Sequence, residues 1–354
     1  MRVMENTAVI FERLPEALLP WYRVNRRELP WRADRHPYHI WISEIMLQQT
    51  RVEAVKGYYR RFLEVIPDIP ALAAADDELL HKLWEGLGYY SRVRNLKKAA
   101  RVIQEEHGGV FPEDYAQVRK LPGIGPYTAG AICSIAFDMP TPAVDGNVLR
   151  VVSRLTGDAA PIDTPAFRTL AEERLRQIYP AAAGEFTQAL MELGATVCGP
   201  NRKPDCESCP CASFCRGHRL GIAEALPVKL PKAVRRQEDR TVFLLRCGEK
   251  YALEKRPAKG LLAGLWQFPN TEGFLEPGEA AEHLAALGLR PTELLLQVEK
   301  KHIFTHIQWN MRGIRMDVAE EGGGFVWLTL RQIREEAALP TAFRQFLEAC
   351  PEIE

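Results

Sequence analysis

No charge of one sign predominates in this chain. Its 46 lysines and arginines are balanced by 46 aspartates and glutamates. A bulk electrostatic pull toward nucleic acid is therefore excluded, and any such binding has to come from local patches. Long hydrophobic runs are missing too: nothing approaches a membrane span, and the opening Met1-Arg2-Val3-Met4-Glu5-Asn6-Thr7 contains no apolar stretch of signal-peptide length. The expectation is no membrane partner and a reducing, cytoplasmic compartment. There is no internal repeat and no low-complexity tract, which excludes solenoids and disordered scaffolds. At 354 residues the chain can bury two or three separate cores.

Cysteine, by contrast, is concentrated. Five of the eight cysteines, Cys198, Cys206, Cys209, Cys211 and Cys215, fall in one short stretch. Four thiolates closing a loop can hold a 4Fe–4S cluster, whose inorganic core then serves the loop as its own centre. Zinc is the competitor, but zinc loops usually present two Cys-x2-Cys pairs and only Cys206 and Cys209 form one here. Cys198, Cys206, Cys209 and Cys215 are the expected ligands, with Cys211 able to replace a neighbour. Cys133, Cys247 and Cys350 are scattered and read as packing residues. A second concentration is basic: Ser91–Arg101 carries Arg92, Arg94, Lys97, Lys98 and Arg101 with no acid, a local patch or simply a solvated helix face.

Up to about residue 221 apolar residues recur at spacings of three and four. The pattern predicts helices over Tyr38–Val55, Ala71–Leu87, Val93–Ile103 and Thr128–Ala136. A Pro-containing charged stretch after Leu226 reads as a linker. Beyond it Thr241–Arg246, Tyr251–Arg256 and Ile314–Val318 are β-prone, with helical pieces at Gly278–Leu287 and Leu330–Leu347. An all-helical part followed by a smaller α+β domain is expected.

Between two helical patterns lies Leu121-Pro122-Gly123-Ile124-Gly125-Pro126-Tyr127. Gly123 and Gly125 permit a tight turn with outward-pointing N–H groups, and Pro126 suits the first turn of the next helix. Such a turn can grip a phosphate without reading sequence. Two carboxylates stand in apolar company. Glu44 sits in Trp41-Ile42-Ser43-Glu44-Ile45-Met46-Leu47, where burial would raise its pKa and make it a general acid near neutrality. Asp145, in Ala143-Val144-Asp145-Gly146-Asn147-Val148, reads either as a helix N-cap or as a second functional carboxylate.

Together these stretches resemble the helix–hairpin–helix DNA glycosylase superfamily and, within it, the adenine-specific MutY family. The resemblance rests on Pro30-Trp31-Arg32, Ser43–Thr50, Gly86-Leu87-Gly88-Tyr89-Tyr90, the 121–129 hairpin, Val144-Asp145-Gly146-Asn147 and the cysteine loop. Gly260–Pro269 and Phe304-Thr305-His306 extend it beyond the linker. It implies an iron–sulfur helical domain from 1–29 and 138–221, and a six-helix domain over 30–137. A linker at 222–237 and a Nudix-like recognition domain over 238–354 complete it. The implied activity is hydrolysis of adenine opposite 8-oxoguanine or guanine in double-stranded DNA, by a bacterial, nucleoid-associated monomer. Glu44 would be the acid and Asp145 the shield for the sugar cation, with Tyr127 and Asn147 positioning them. Gln49 and Tyr89 would wedge the duplex, Arg32 and Gln188 would contact substrate, and Phe304, Thr305 and His306 would inspect the opposite base. Arg202, Lys203, Arg216 and Arg219 would be braced toward phosphates by the cluster loop.

One position separates the neighbouring families, and two others depart from the pattern of the closer one. Tyr127 stands where strand-cleaving relatives carry a Schiff-base lysine, so no lyase step is implied. Seven residues, instead of the family's six, separate Cys198 from Cys206, and Thr305 replaces a serine. The Nudix-like stretch 273–288 lacks the glutamate array that holds magnesium in that family.

Overall fold

The computed structural model describes residues 7–200, 203–231 and 233–350. In chain order the first helices are α1 Thr7–Glu12, α2 Leu14–Asn25, α3 Pro37–Leu47, α4 Val52–Val65, α5 Ile69–Ala74, α6 Asp77–Leu83 and α7 Ser91–Glu106. There follow α8 Tyr115–Lys120, α9 Pro126–Phe137, α10 Gly146–Thr156, α11 Pro165–Arg176, α12 Ala183–Thr196 and α13 Arg216–Arg219. Strands then take over: β1 Arg236–Cys247, β2 Lys250–Lys255, β3 Trp266–Gln267, β4 Asn270–Glu272, β5 Pro291–Ile303, β6 Ile307–Val318 and β7 Val326–Thr329. Among them lie α14 Pro277–Ala286, α15 Leu330–Glu335 and α16 Thr341–Arg344. Among the described residues no helix is long and apolar enough to cross a membrane.

Three expected helices are interrupted, each for a local reason. Tyr38–Val55 breaks after Leu47 because Gln49 adopts a left-handed conformation (φ 58°) before α4 restarts. Ala71–Leu87 divides where Asp76 caps α6, its carboxylate accepting from the Glu78 N–H. Leu330–Leu347 is split into α15, which ends at Glu335, and α16, which starts after its N-cap Pro340, a residue that a helix running through from α15 would not tolerate. In each case the apolar period runs on through the turn, so periodicity alone could not place the break.

By packing, the chain forms two compact units. One gathers the described residues up to Ala74 with Asn95–Pro231; the other gathers Ala75–Arg94 with the described residues beyond 232. Within the helical unit one core draws on residues 10–22 and 144–215, from Ile10, Leu14 and Leu18 to Val148, Phe186 and Phe214. Among the described residues it takes none from 30–137.

The second unit is built on a sheet of order β3-β2-β1-β6-β5, with β4 paired to β1 and β7 to β2. β1 and β6 run parallel from Arg236↔Ile307 to Arg246↔Asp317, and β5 closes antiparallel on β6 as the edge. Side chains alternate between two cores, as the two-residue period of a strand requires. Val242, Leu244, Tyr251, Leu253, Trp309 and Met311 pack with α15 and α16 on one face. Phe243, Leu245, Ala252, Ile314 and Met316 pack with α14 on the other. Both faces of β1 are covered, so Val242-Phe243-Leu244-Leu245 reads as a continuous apolar run.

Candidate active site

α3 positions Glu44. Pro37 starts the helix with its φ already fixed, and almost every later residue of it is buried, Trp41, Ile42, Ile45 and Met46 among them. Glu44 is carried inward with them and is only 5% exposed. Burial is the main reason its carboxyl is pushed up to about 7; the Asp145 charge reinforces this, while the Tyr127 hydrogen bond and the Arg32 charge oppose it. The Tyr127 Oη donates to Glu44 Oε2 at 2.6 Å. Burial and the neighbouring Glu44 and Asp145 charges hold the phenol well above its ordinary value, so it remains a donor.

Tyr127 is placed by the hairpin. Gly123 has φ +77°, and a Cβ there would come within 2.6 Å of the Asn95 Cβ, so only glycine lets the turn close. Gly125 caps α9 with φ −85° and has open space where a side chain would be, leaving its backbone approachable. Pro126 and Tyr127 then begin α9.

Asp145 caps a helix and also faces a cavity. It is the N-cap of α10, with Oδ1 accepting from the Val148 N–H at 2.8 Å, while Oδ2 accepts from Asn147 Nδ2 at 2.7 Å. It also lines the same cavity of about 920 Å³ as Glu44, Tyr127, Asn147, Gln188, Arg32 and Gln49. That is ample room for one extruded nucleobase and its sugar.

Two features of this cavity were not legible beforehand. Glu192, fully buried on α12, accepts from Arg27 Nε at 2.6 Å and Arg32 Nη2 at 2.8 Å. Burial alone would raise its pKa, but the Arg27 and Arg32 interactions outweigh it and the carboxyl lies below the usual range. Arg32 is thereby fixed in the cavity wall. Glu192→Ala would leave two guanidiniums facing an uncompensated site and is expected to cost about 3 kcal/mol, measurable by urea unfolding. Unchanged unfolding would contradict this role. The second feature is a chain of hydrogen bonds. Arg150 Nη2 donates to Asn147 Oδ1 at 2.8 Å and Arg150 Nε to the Cys198 carbonyl at 2.9 Å, joining the Asp145 side to the cysteine loop. Within Gly146–Thr156 Arg150 reads as an ordinary helical arginine, and its partners are distant in sequence.

Cys198, Cys206, Cys209 and Cys215 line one apolar cavity with Val151, Leu193 and Val197. Arg154 closes it, its Nη1 lying 3.3 Å from the Cys198 sulfur. Cys211 is fully buried in the hydrophobic core and is not part of that lining. Among the described residues no three His, Cys, Asp or Glu groups could hold a single metal ion. Four thiols around a shared cavity, with a guanidinium to offset thiolate charge, suit a polynuclear centre. Cys211→Ala is therefore expected to keep visible iron–sulfur absorption, and Cys198→Ser to lose it or to fold poorly. The reverse pattern would reassign the ligands. Arg202 lies outside the described residues. Lys203 and Arg219 are exposed and Arg216 is half-buried.

The basic stretch is only in part a surface feature, Lys98 and Arg101 being exposed. Arg92 is buried, donating to the Leu87 and Gly88 carbonyls, while Arg94 bonds the Ala263 carbonyl and Arg101 the Ala73 carbonyl. Loop carbonyls needed donors, and three of the five cations supply them.

In the second unit Tyr89 is 46% exposed and holds φ +48°. Gln49 and Tyr89, the two residues expected to enter DNA, are thus both held left-handed, an arrangement that costs backbone energy and recurs at functional positions. Thr305 and His306 are exposed at the β5–β6 tip, whereas Phe304 folds back with its ring 4.8 Å from Trp309. Phe304 anchors the tip, and Thr305 and His306 are its exposed side chains. The Tyr89 and Thr305 hydroxyls are 3.1 Å apart. In the Nudix-like stretch Glu276 and Glu279 form a reciprocal capping box on α14. Their carboxylates are thus occupied by backbone N–H groups.

Residues 42–177 match the HhH-GPD superfamily of base excision DNA repair proteins, and residues 241–349 match the NUDIX domain. The adenine DNA glycosylase of Mus musculus is 37% identical across 93% of this chain and 76% of its own length. Among solved structures, a thermostable thymine-DNA glycosylase is similar with 28% identity and a TM-score of 0.54, over 60% of this chain and 99% of its own. An endonuclease III trapped as a covalent intermediate with DNA is similar with 26% identity and a TM-score of 0.52, over 62% of this chain and all of its own.

Proposed function

We propose, from the premise that this chain belongs to the adenine DNA glycosylase family, that its substrate is adenine opposite 8-oxoguanine, or opposite guanine, in duplex DNA. The chain is a base-excision repair enzyme, a monofunctional glycosylase that hydrolyses an N-glycosyl bond. The observation that carries the finer reading is the meeting of Glu44, Tyr127 and Asp145 in one cavity. An extruded adenine enters it at an unstacking cost of a few kcal/mol, which a mispair partly relieves.

Glu44, protonated, donates to adenine N7 and so lets the base leave neutral. The bond between C1′ and N9 breaks with its electron pair going to the base, and C1′ takes on oxocarbenium character. The Asp145 carboxylate, oriented by Val148 N–H and Asn147, shields that charge or bonds to it transiently. Water adds at C1′ and releases a proton, leaving an abasic site. Tyr127 keeps Glu44 aimed by its hydrogen bond and, as a phenol, offers no amine for an imine to the sugar. Arg32 and Gln188 bind the base. Gln49 and Tyr89 fill the vacated stack, and Thr305 and His306 read the opposite base within a recognition domain over 238–354.

The residues around the cysteine cavity fit an iron–sulfur cluster. Cys198, Cys206, Cys209 and Cys215 would hold it, and its contribution is to brace the loop, since hydrolysis moves no electrons. The test is incubation with duplexes carrying adenine opposite 8-oxoguanine, guanine or thymine, followed by alkaline cleavage. Cleavage at adenine opposite 8-oxoguanine first, guanine second and thymine least is expected. Equal cleavage opposite all three would sink the assignment of the opposite base.

A further inference from the structure

Residues 75–94 lie inside the span that matches the glycosylase superfamily, yet they pack as part of the unit that follows the linker. Several hydrogen bonds hold them there. Glu78 uses both oxygens, accepting from Lys255 Nζ at 2.7 Å and Trp266 Nε1 at 2.9 Å. Glu85 accepts from the Leu339 N–H at 2.9 Å and from Lys82 Nζ at 2.8 Å, and Lys82 also reaches the Ala337 carbonyl. Arg94 donates to the Ala263 carbonyl at 2.8 Å. The imidazole of His81 fills the space beside Gly264. The loop that ends at Tyr89 is fixed in turn: Trp84 Nε1 donates to the Gly88 carbonyl, and the Arg92 guanidinium lies against the Trp84 and Tyr89 rings.

We propose that Glu78 and Glu85 are positioning residues that make the wedge Tyr89 a working part of the opposite-base reader. Through them the spacing of Tyr89 from Thr305 is set by one packed unit. This rests on the reading of Thr305 and His306 given above. A side chain that must enter the duplex beside the inspected base has to be held to within a fraction of an ångström of the group that inspects it. Direct bonds to Trp266, Ala337 and Leu339 supply that rigidity. The Tyr89 to Thr305 hydroxyl contact shows the two already in register. Discrimination between 8-oxoguanine and guanine is then a property of the clamp as much as of the probing side chains.

The experiment compares kcat/KM on A·8-oxoguanine and A·guanine duplexes for the full-length enzyme, Glu78→Ala and Glu85→Ala, each alone and combined with Thr305→Ala. The preference for 8-oxoguanine is expected to fall about tenfold in each single glutamate variant, with A·guanine turnover changed less than about threefold. In the Thr305→Ala background the same substitutions should change the preference less than about twofold, the non-additivity of residues acting as one unit. Lys255→Met removes the ammonium that also donates to Glu78 while keeping the length of an exposed side chain, and carries the same test should Glu78→Ala fold poorly. Equal losses on both duplexes, or full additivity with Thr305→Ala, would overturn the proposal in favour of plain structural support. A preference that survives both glutamate variants yet falls in Thr305→Ala overturns this inference alone. A native enzyme with no preference removes the reading of Thr305 and His306 beneath it.

Discussion

Replacing Glu44 by glutamine is expected to lower single-turnover adenine release about 10³-fold while duplex affinity stays within about threefold. Glutamine fills the same volume on α3 and its amide oxygen still accepts from Tyr127 Oη, so the cavity keeps its shape. What it lacks is a proton to give. The native pH profile follows from the same group. With its carboxyl pushed up to about 7 by burial, Glu44 is increasingly ionised above neutrality. The rate should then fall about tenfold per pH unit, a dependence absent from the variant's residual activity. Stability falls in the same direction, over a lower window. Between the ordinary value of 4.5 and about 7 the native chain holds a proton that the unfolded chain has released, so stability declines as pH rises through that window. A shift of about 2.5 pH units at about 1.4 kcal/mol each bounds the loss at about 3.5 kcal/mol. Glu44→Gln should therefore melt higher than the native enzyme at pH 8 and lose that advantage at pH 5. A native-like rate in the variant would end the acid's role, and a native enzyme no less stable at high pH would end the claim of a strained, buried carboxyl.

How much of this was open to reading from the chain depended on whether the signal was local. Glu44 stood out as an acid amid Trp41, Ile42, Ile45 and Met46, but the pattern left open a partly exposed helical glutamate, and only the fold shows it buried. The cysteine spacing singled out Cys198, Cys206, Cys209 and Cys215, and the shared cavity separates them from Cys211 where spacing could not. β5 was missed. Leu294-Leu295-Leu296 followed by Gln-Val-Glu-Lys-Lys has no two-residue alternation, because an edge strand exposes much of both faces and takes its register from β6. Arg92 was misread as surface charge, since a sequence does not reveal which loop carbonyls will need a donor. Glu192 was invisible for the same reason. Its partners, Arg27 and Arg32, are some 160 residues away, and only tertiary packing makes it a fixed counter-ion.

Asparagine at position 145 offers the sharper dissection, because it separates the two jobs that aspartate does there. Asparagine caps a helix as well as aspartate, so its oxygen can keep the bond from the Val148 N–H and α10 should start where it does now. The negative charge is gone. The amide nitrogen would then meet Asn147 Nδ2, donor against donor, and Asn147 has to turn away from a geometry that Arg150 also holds. The expected outcome is a folded enzyme that binds the mispaired duplex but releases adenine about 10³-fold more slowly, the size of loss typical when a preorganised charge opposite a transition state is removed. The stability cost should be only about 1 kcal/mol, that of one rearranged hydrogen bond. Near-native single-turnover release with an intact fold would mean that Asp145 is an N-cap and nothing more. Slow release accompanied by a collapse in melting temperature would mean that the carboxylate's service to α10, and not its charge, had been measured.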